Sequence, residues 1–272
     1  MRRNFAQVLK SGKIDLKNEY TKLYRLFYAK DNRDHISLSD LISANFEKFH
    51  FAGTCLDLDE FDEMYGFHFD MHPQDFDIDY LVLFCEYVYN FVANFDGRFF
   101  RDQFNQHFYM QHIGKIIEGI GYMHATENGL TIFVPRDNAA IAVSESNLIP
   151  EDLSYKVIAY NHHSVKGDLG TKKQTLLLFA DLLEPKRSTL EKADKNLASD
   201  LFFAFNNLNI RHNNVDPSCP KFKQPVADLT ADQLEQWYDE VYQICLLAFM
   251  QLEHENRKVK LCSLKSQLGS QK

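Results

Sequence analysis

The sequence predicts a mainly α protein: a helical bundle in the C-terminal half, and a helical N-terminal half carrying one small β-hairpin. Three observations lead there. Apolar residues recur at three- and four-residue spacings along most of the chain, the period of a helix with one buried face. Only one stretch pairs a tight-turn dipeptide, Asn128-Gly129, with β-prone neighbours. The apolar fraction of 45% and aromatic fraction of 14%, over 272 residues, supply enough side chain for sizeable cores.

Along the chain, Lys17 to Tyr28 reads as a helix through Tyr20, Leu23, Tyr24, Phe27 and Tyr28. A second starts after Ser37, with Leu38, Leu41, Ile42, Ala44 and Phe46 on its apolar side and Asp40 near its positive end. Residues 50–77, rich in Asp, Gly and His, read as irregular. Asp77 to Phe95 is strongly helical, with a stripe of Ile78, Leu81, Val82, Cys85, Val88, Tyr89 and Val92. Another helix covers Phe104 to Ile120, the hairpin spans 121–134, and Ala139 to Ser144 reads as a short strand.

From Pro150 the pattern is a helical array. Helices are expected over Leu153 to Val165, Thr171 to Leu183 and Ala198 to Ile210, with Pro217, Pro220 and Pro225 breaking the last. A long final helix starts at Thr230-Ala231-Asp232-Gln233, a capping box. Leu234, Trp237, Val241, Cys245, Ala248 and Leu252 form its seam. The expected division is an acidic region 1–149, a helical domain 150–256 and a polar, frayed tail 257–272.

The net charge of −8 lies entirely in residues 1–150, with 14 basic and 22 acidic side chains, while 151–272 is neutral. Such a surface excludes general DNA binding, because it repels the phosphate backbone. No apolar run reaches the length of a membrane span. The start of the chain lacks a signal-peptide core, and five scattered cysteines without a C-x-x-C pair fit reduced thiols, so a cytoplasmic location is expected.

Motifs exclude more than they assign. There is no glycine-rich phosphate loop, no G-x-S-x-G and no H-E-x-x-H. Leu56 to Glu63 lines up carboxylates without calcium-loop spacing. His68, Asp70 and His72 alternate along a segment, but nothing else at ligand spacing joins them, so neither metal nor cofactor is expected.

The candidate site is the tract Phe202-Phe203-Ala204-Phe205-Asn206-Asn207-Leu208-Asn209-Ile210-Arg211-His212-Asn213-Asn214. An arginine holds phosphate bidentately, and a histidine exchanges protons near neutrality. Together they are the minimum for metal-independent RNA cleavage. Arg211 and His212 are therefore the catalytic candidates, with Asn207, Asn213 and Asn214 orienting them. His162, His163 and Lys166, in the segment Tyr160 to Asp168, are candidates for contacting substrate. Lys172, Lys173, Lys186 and Arg187 add positive charge along the same half that could guide a phosphate backbone, although such residues more often form the wet face of a helix. The competing reading of the tract is a cap that locks a buried helix, since Asn tolerates left-handed backbone.

With these residues in view, the segment from about Pro150 to Glu253 resembles the HEPN superfamily, in particular forms in prokaryotic abortive-infection and toxin proteins. The tract near the end of an inner helix and the Tyr160 to Asp168 turn carry the resemblance. It implies a helical bundle that forms a homodimer, binds RNA and, in many members, is a metal-independent ribonuclease of phage defence. The usual motif has a His four to six residues after the Arg. Here Val215, Asp216 and Pro217 stand at those places, so His212 would take that role. The alternative is a non-catalytic helical interaction protein whose acidic N-terminal half binds a partner.

Overall fold

The computed structural model describes residues 14–30, 36–95 and 106–269. The chain divides into two compact units that meet at Phe133 and Val134, rather than near residue 150. Each has its own core. The first ten residues, and Phe104 at the expected start of a helix, lie outside the described residues.

Unit 1 contains helices α1 (Leu16–Tyr28), α2 (Leu38–Ser43), α3 (Leu58–Tyr65), α4 (Ile78–Asn94) and α5 (Gln106–Gly119), then the strands β1 (Tyr122–Glu127) and β2 (Leu130–Pro135), whose end crosses into unit 2. Carboxylates and a serine start the helices. Asp15, Asp57 and Asp77 each accept from a backbone N–H three residues on, and Ser37 forms a reciprocal capping box with Asp40.

The stretch 50–77, read from sequence as irregular, contains α3. Asp57 caps it, Leu58 and Phe61 bury its inner face, and Gly66 at φ 72° ends it. Eight residues give too few helical turns for a legible period against so many acids. Aromatic rings build the core around α4: Tyr20 meets Phe84 at 5.1 Å, and Phe91 meets Phe49 at 5.0 Å and Tyr87 at 4.9 Å. Such pairs add about 0.5–1.5 kcal/mol each beyond their burial.

The hairpin forms as expected, with Asn128 at φ 50° and Gly129 at φ 81°. Helix α4 satisfies the outer edge of β2. Asn90 exchanges two 2.8 Å hydrogen bonds with the backbone of Thr131, and Glu86 accepts from the Phe133 N–H at 2.5 Å. An edge strand is thereby closed by side chains rather than by another strand.

Unit 2 contains α6 (Asn138–Ser144), α7 (Ser154–Ala159), α8 (Leu169–Leu183), α9 (Arg187–Ala193), α10 (Lys195–Asn207), α11 (Gln224–Ala227) and α12 (Ala231–Gly269). Four expectations are corrected here. Residues 139–144 are helical, not a strand, because Asp137 accepts from the N–H groups of Ala139 and Ala140 and caps a helix. The helix expected over 153–165 is α7 alone, followed by a turn and a short 3-10 segment at His163–Val165. Helix α10 ends at Asn207, three residues early. The tail expected to fray from Arg257 is helical through Gly269.

The capping box at Thr230 and Gln233 is present, with bonds of 3.0 and 3.2 Å. Along α12, Val241, Cys245, Ala248 and Leu252 are buried as the spacing predicts. Trp237 is not. It is half-exposed, and Tyr238 occupies the buried position instead. Tyr242 stacks on Tyr160 at 4.0 Å and donates its hydroxyl to the Val157 carbonyl at 2.6 Å. Among the described residues, no helix is long and apolar enough to cross a membrane, and the cysteines are free.

Candidate functional site

Three residues past the end of α10, Ile210 is buried and the chain reverses. The reversal is built from asparagines. Asn209 sits at φ 57°, in the left-handed region that Asn tolerates. Its backbone N–H donates to the Asn214 side chain at 2.8 Å, and the Asn214 backbone N–H donates to the Asn209 side chain at 3.3 Å. Asn214 is fully buried, and its amide also donates to the carbonyls of Lys221 (2.7 Å) and Asn206 (3.3 Å). One side chain thus ties together the helix end, the reversal and the proline loop. An amide in that position is a structural group, since each of its polar atoms has a partner.

Arg211 is likewise engaged. Its guanidinium pairs with the Glu184 carboxylate and donates to the Ala180 carbonyl at 2.8 Å. It lies over the rings of Phe205 and Phe202, at 5.5 and 5.9 Å. Its backbone N–H returns to the Phe205 carbonyl at 3.0 Å. A phosphate reaching this guanidinium would have to displace a carboxylate from the bidentate donor that suits both anions.

His212 is partly exposed and has no hydrogen-bond or ion-pair partner among the described residues. Asn207 donates to the Phe203 carbonyl at 2.8 Å, and Asn213, exposed, reaches Asp216 at 3.5 Å. Of the expected constellation, the structure ties Asn214 to Asn209 and Asn206. Arg211 is directed to α8, while Asn207 and Asn213 bond within their own segments.

The upstream candidates sit on a different anchor. His162 is buried, and its Nδ1 caps the 3-10 segment through Ser164, 2.7 Å from the hydroxyl. The His163 ring lies 4.1 Å from that of His162. Beyond Lys166, the Gly167 N–H donates to Glu235 on α12 at 2.7 Å. Lys173 on α8 reaches the tract, 3.3 Å from Asn209. Burial pushes the Lys173 ammonium below its ordinary range.

Sequence reasoning missed the most buried charge of this unit. Lys172, expected on a wet face, is 5% exposed and bonds Asp239 at 2.6 Å and Glu235 at 2.7 Å. Tyr160 donates to the same Asp239 at 3.0 Å. Burial, then Asp239, raises the phenol well above its ordinary range. The Gly167 N–H, then Lys172, holds Glu235 below the usual carboxylate range. A buried lysine needs such partners, because an uncompensated charge there costs several kcal/mol. Glu235 and Asp239 stand one helical turn apart on α12, a spacing that does not say which lysine they meet. Comparison with protein-family models, with curated proteins and with solved structures yields no match.

Proposed function

We propose that this chain is a non-catalytic interaction protein whose acidic N-terminal half binds a basic, amphipathic segment of a partner. The observation that carries the reading is the surface of α3 and the turn before it. Leu56 is 85% exposed, Met64 54% and Tyr65 53%, and they stand among exposed Asp57, Asp59, Glu60 and Glu63. Asp57 and Glu60 are held by backbone N–H groups, whereas Asp59 and Glu63 have no partner among the described residues. Exposed apolar side chains inside a ring of like charge match a helix with apolar residues on one face and lysines beside them. Self-association belongs to the same reading.

Isothermal titration with a lysine-rich amphipathic model helix tests the acidic face. The wild type should bind, more weakly as salt rises, and Asp59→Lys/Glu63→Lys should lose about tenfold in affinity, ~1.4 kcal/mol. Equal binding by both would refute the assignment.

A second reading rests on the partly exposed imidazole of His212: an RNA-binding or RNA-cleaving HEPN-like protein of phage defence, with His212 as proton-transfer group and Arg211 on the phosphate. It predicts metal-independent RNA cleavage that His212→Ala abolishes at unchanged stability. Arg211 already committed to Glu184 and Ala180 favours the first reading.

A further inference from the structure

Helix α12 outlasts the bundle that it serves. Its last core residue is Leu252, yet it continues to Gly269, and every residue from Asn256 to Leu268 is exposed. An isolated helix of that length is marginal in water unless something covers it. Apolar residues mark one side of it. Leu247 (50% exposed) and Met250 (38%) lie on the outer face over the bundle, and Leu261 (48%), Leu264 (49%) and Leu268 (63%) follow on the extension. With His254 and Arg257 between them, the positions 247, 250, 254, 257, 261, 264 and 268 alternate steps of three and four. That is the seam of a two-stranded coiled coil, about 32 Å long. Exposed Val259 lies off it.

We propose that this seam pairs, antiparallel, with the same seam of a second copy of the chain. The charges choose both the occupant and the direction. In the antiparallel register Leu247 faces Leu264 of the other copy, Met250 faces Leu261, and His254 faces Arg257. Glu253 then flanks Lys260 of the other copy. Neither Glu253 nor Lys260 has an ion-pair partner within its own chain among the described residues, so both are available. A parallel pairing would set Arg257 against itself and Lys260 against Lys265, and would gain only Glu253 beside Lys258, which Glu255 of its own chain already holds. Like charges at those positions disfavour it. The polar pair of His254 and Arg257 at the centre lowers affinity but fixes the register, the known use of a polar residue inside a coiled-coil seam. The pairing deepens the interaction reading above and uses a different surface, so loss of binding at α3 leaves it intact, and the reverse.

Sedimentation equilibrium of the full chain tests it. The wild type should show a concentration-dependent mass rising to twice that of one chain. Leu261→Glu/Leu264→Glu should remain at one chain mass with the melting of the bundle unchanged, since neither leucine touches the core. Glu253→Lys should weaken the dimer by about tenfold, and Glu253→Lys/Lys260→Glu should restore it, because the swapped pair is again of opposite charge. A monomeric wild type, or a dimer indifferent to the leucine substitutions, overturns the proposal. A dimer that the charge swap fails to restore overturns the antiparallel register.

Discussion

Two regions of this chain carry unusual chemistry in opposite ways. From Asn206 to Asn214, an arginine, a histidine and asparagines gather at a helix end, and most of their polar atoms are satisfied internally. From Leu56 to Tyr65, an ordinary acidic helix leaves three large apolar side chains in solvent. A polar cluster whose bonds close on themselves holds a fold together. An apolar group left in water among charges is available for recognition. Residue types alone point to the first region as functional, whereas its internal hydrogen bonds support the proposal that the second is.

Asn214→Ala should have the largest effect. It leaves the Asn209 N–H and the carbonyls of Asn206 and Lys221 without their buried partner, so unit 2 should lose ~3 kcal/mol in denaturant melting. The same substitution at exposed Asn213 should be near neutral. Next is Arg211→Ala, expected to cost ~1–2 kcal/mol through the Glu184 pair, the Ala180 bond and the two rings. Arg211→Lys should recover only part, because an ammonium cannot serve both oxygens and stack.

A smaller effect separates unit 1. Burial, only partly offset by the Tyr87 hydroxyl, pushes the Asp62 carboxyl from its ordinary 3.8 up to about 6. The folded state therefore binds a proton more tightly than the unfolded state. Stability should fall as pH rises from about 4 to 6, then level off, by ~1 kcal/mol after solvent screening. Asp62→Asn should flatten that slope in urea melts taken across the window. The smallest effect is Asp59→Lys/Glu63→Lys, which should leave melting within ~0.5 kcal/mol while weakening peptide binding about tenfold.

Much of the fold was legible because helix caps and apolar periods are local. Asp77 before a wide apolar stripe, Thr230 with Gln233 and the Asn128-Gly129 turn each carry their structure in a few residues. Short helices such as α3 and α6 were not, since their few turns hide the period and only the cap decides. The site was less legible for a different reason. Whether Arg211 meets phosphate or Glu184 depends on a contact spanning 27 residues, and the inward turn of Lys172 on one spanning 67. Neither leaves a mark in local spacing. The exposure of Leu56 and Trp237 is equally non-local, because an apolar residue at helical spacing reads as core until the neighbouring elements are placed.

If the Arg211 tract is a lock, breaking it should cost stability and no nuclease activity. The decisive experiment is incubation of bacterial total RNA and tRNA with wild type and Arg211→Ala in EDTA, with melting curves on both. A lock predicts intact RNA with either protein and a lowered melting temperature for Arg211→Ala. Cleavage by the wild type, lost in Arg211→Ala at unchanged melting temperature, would contradict it.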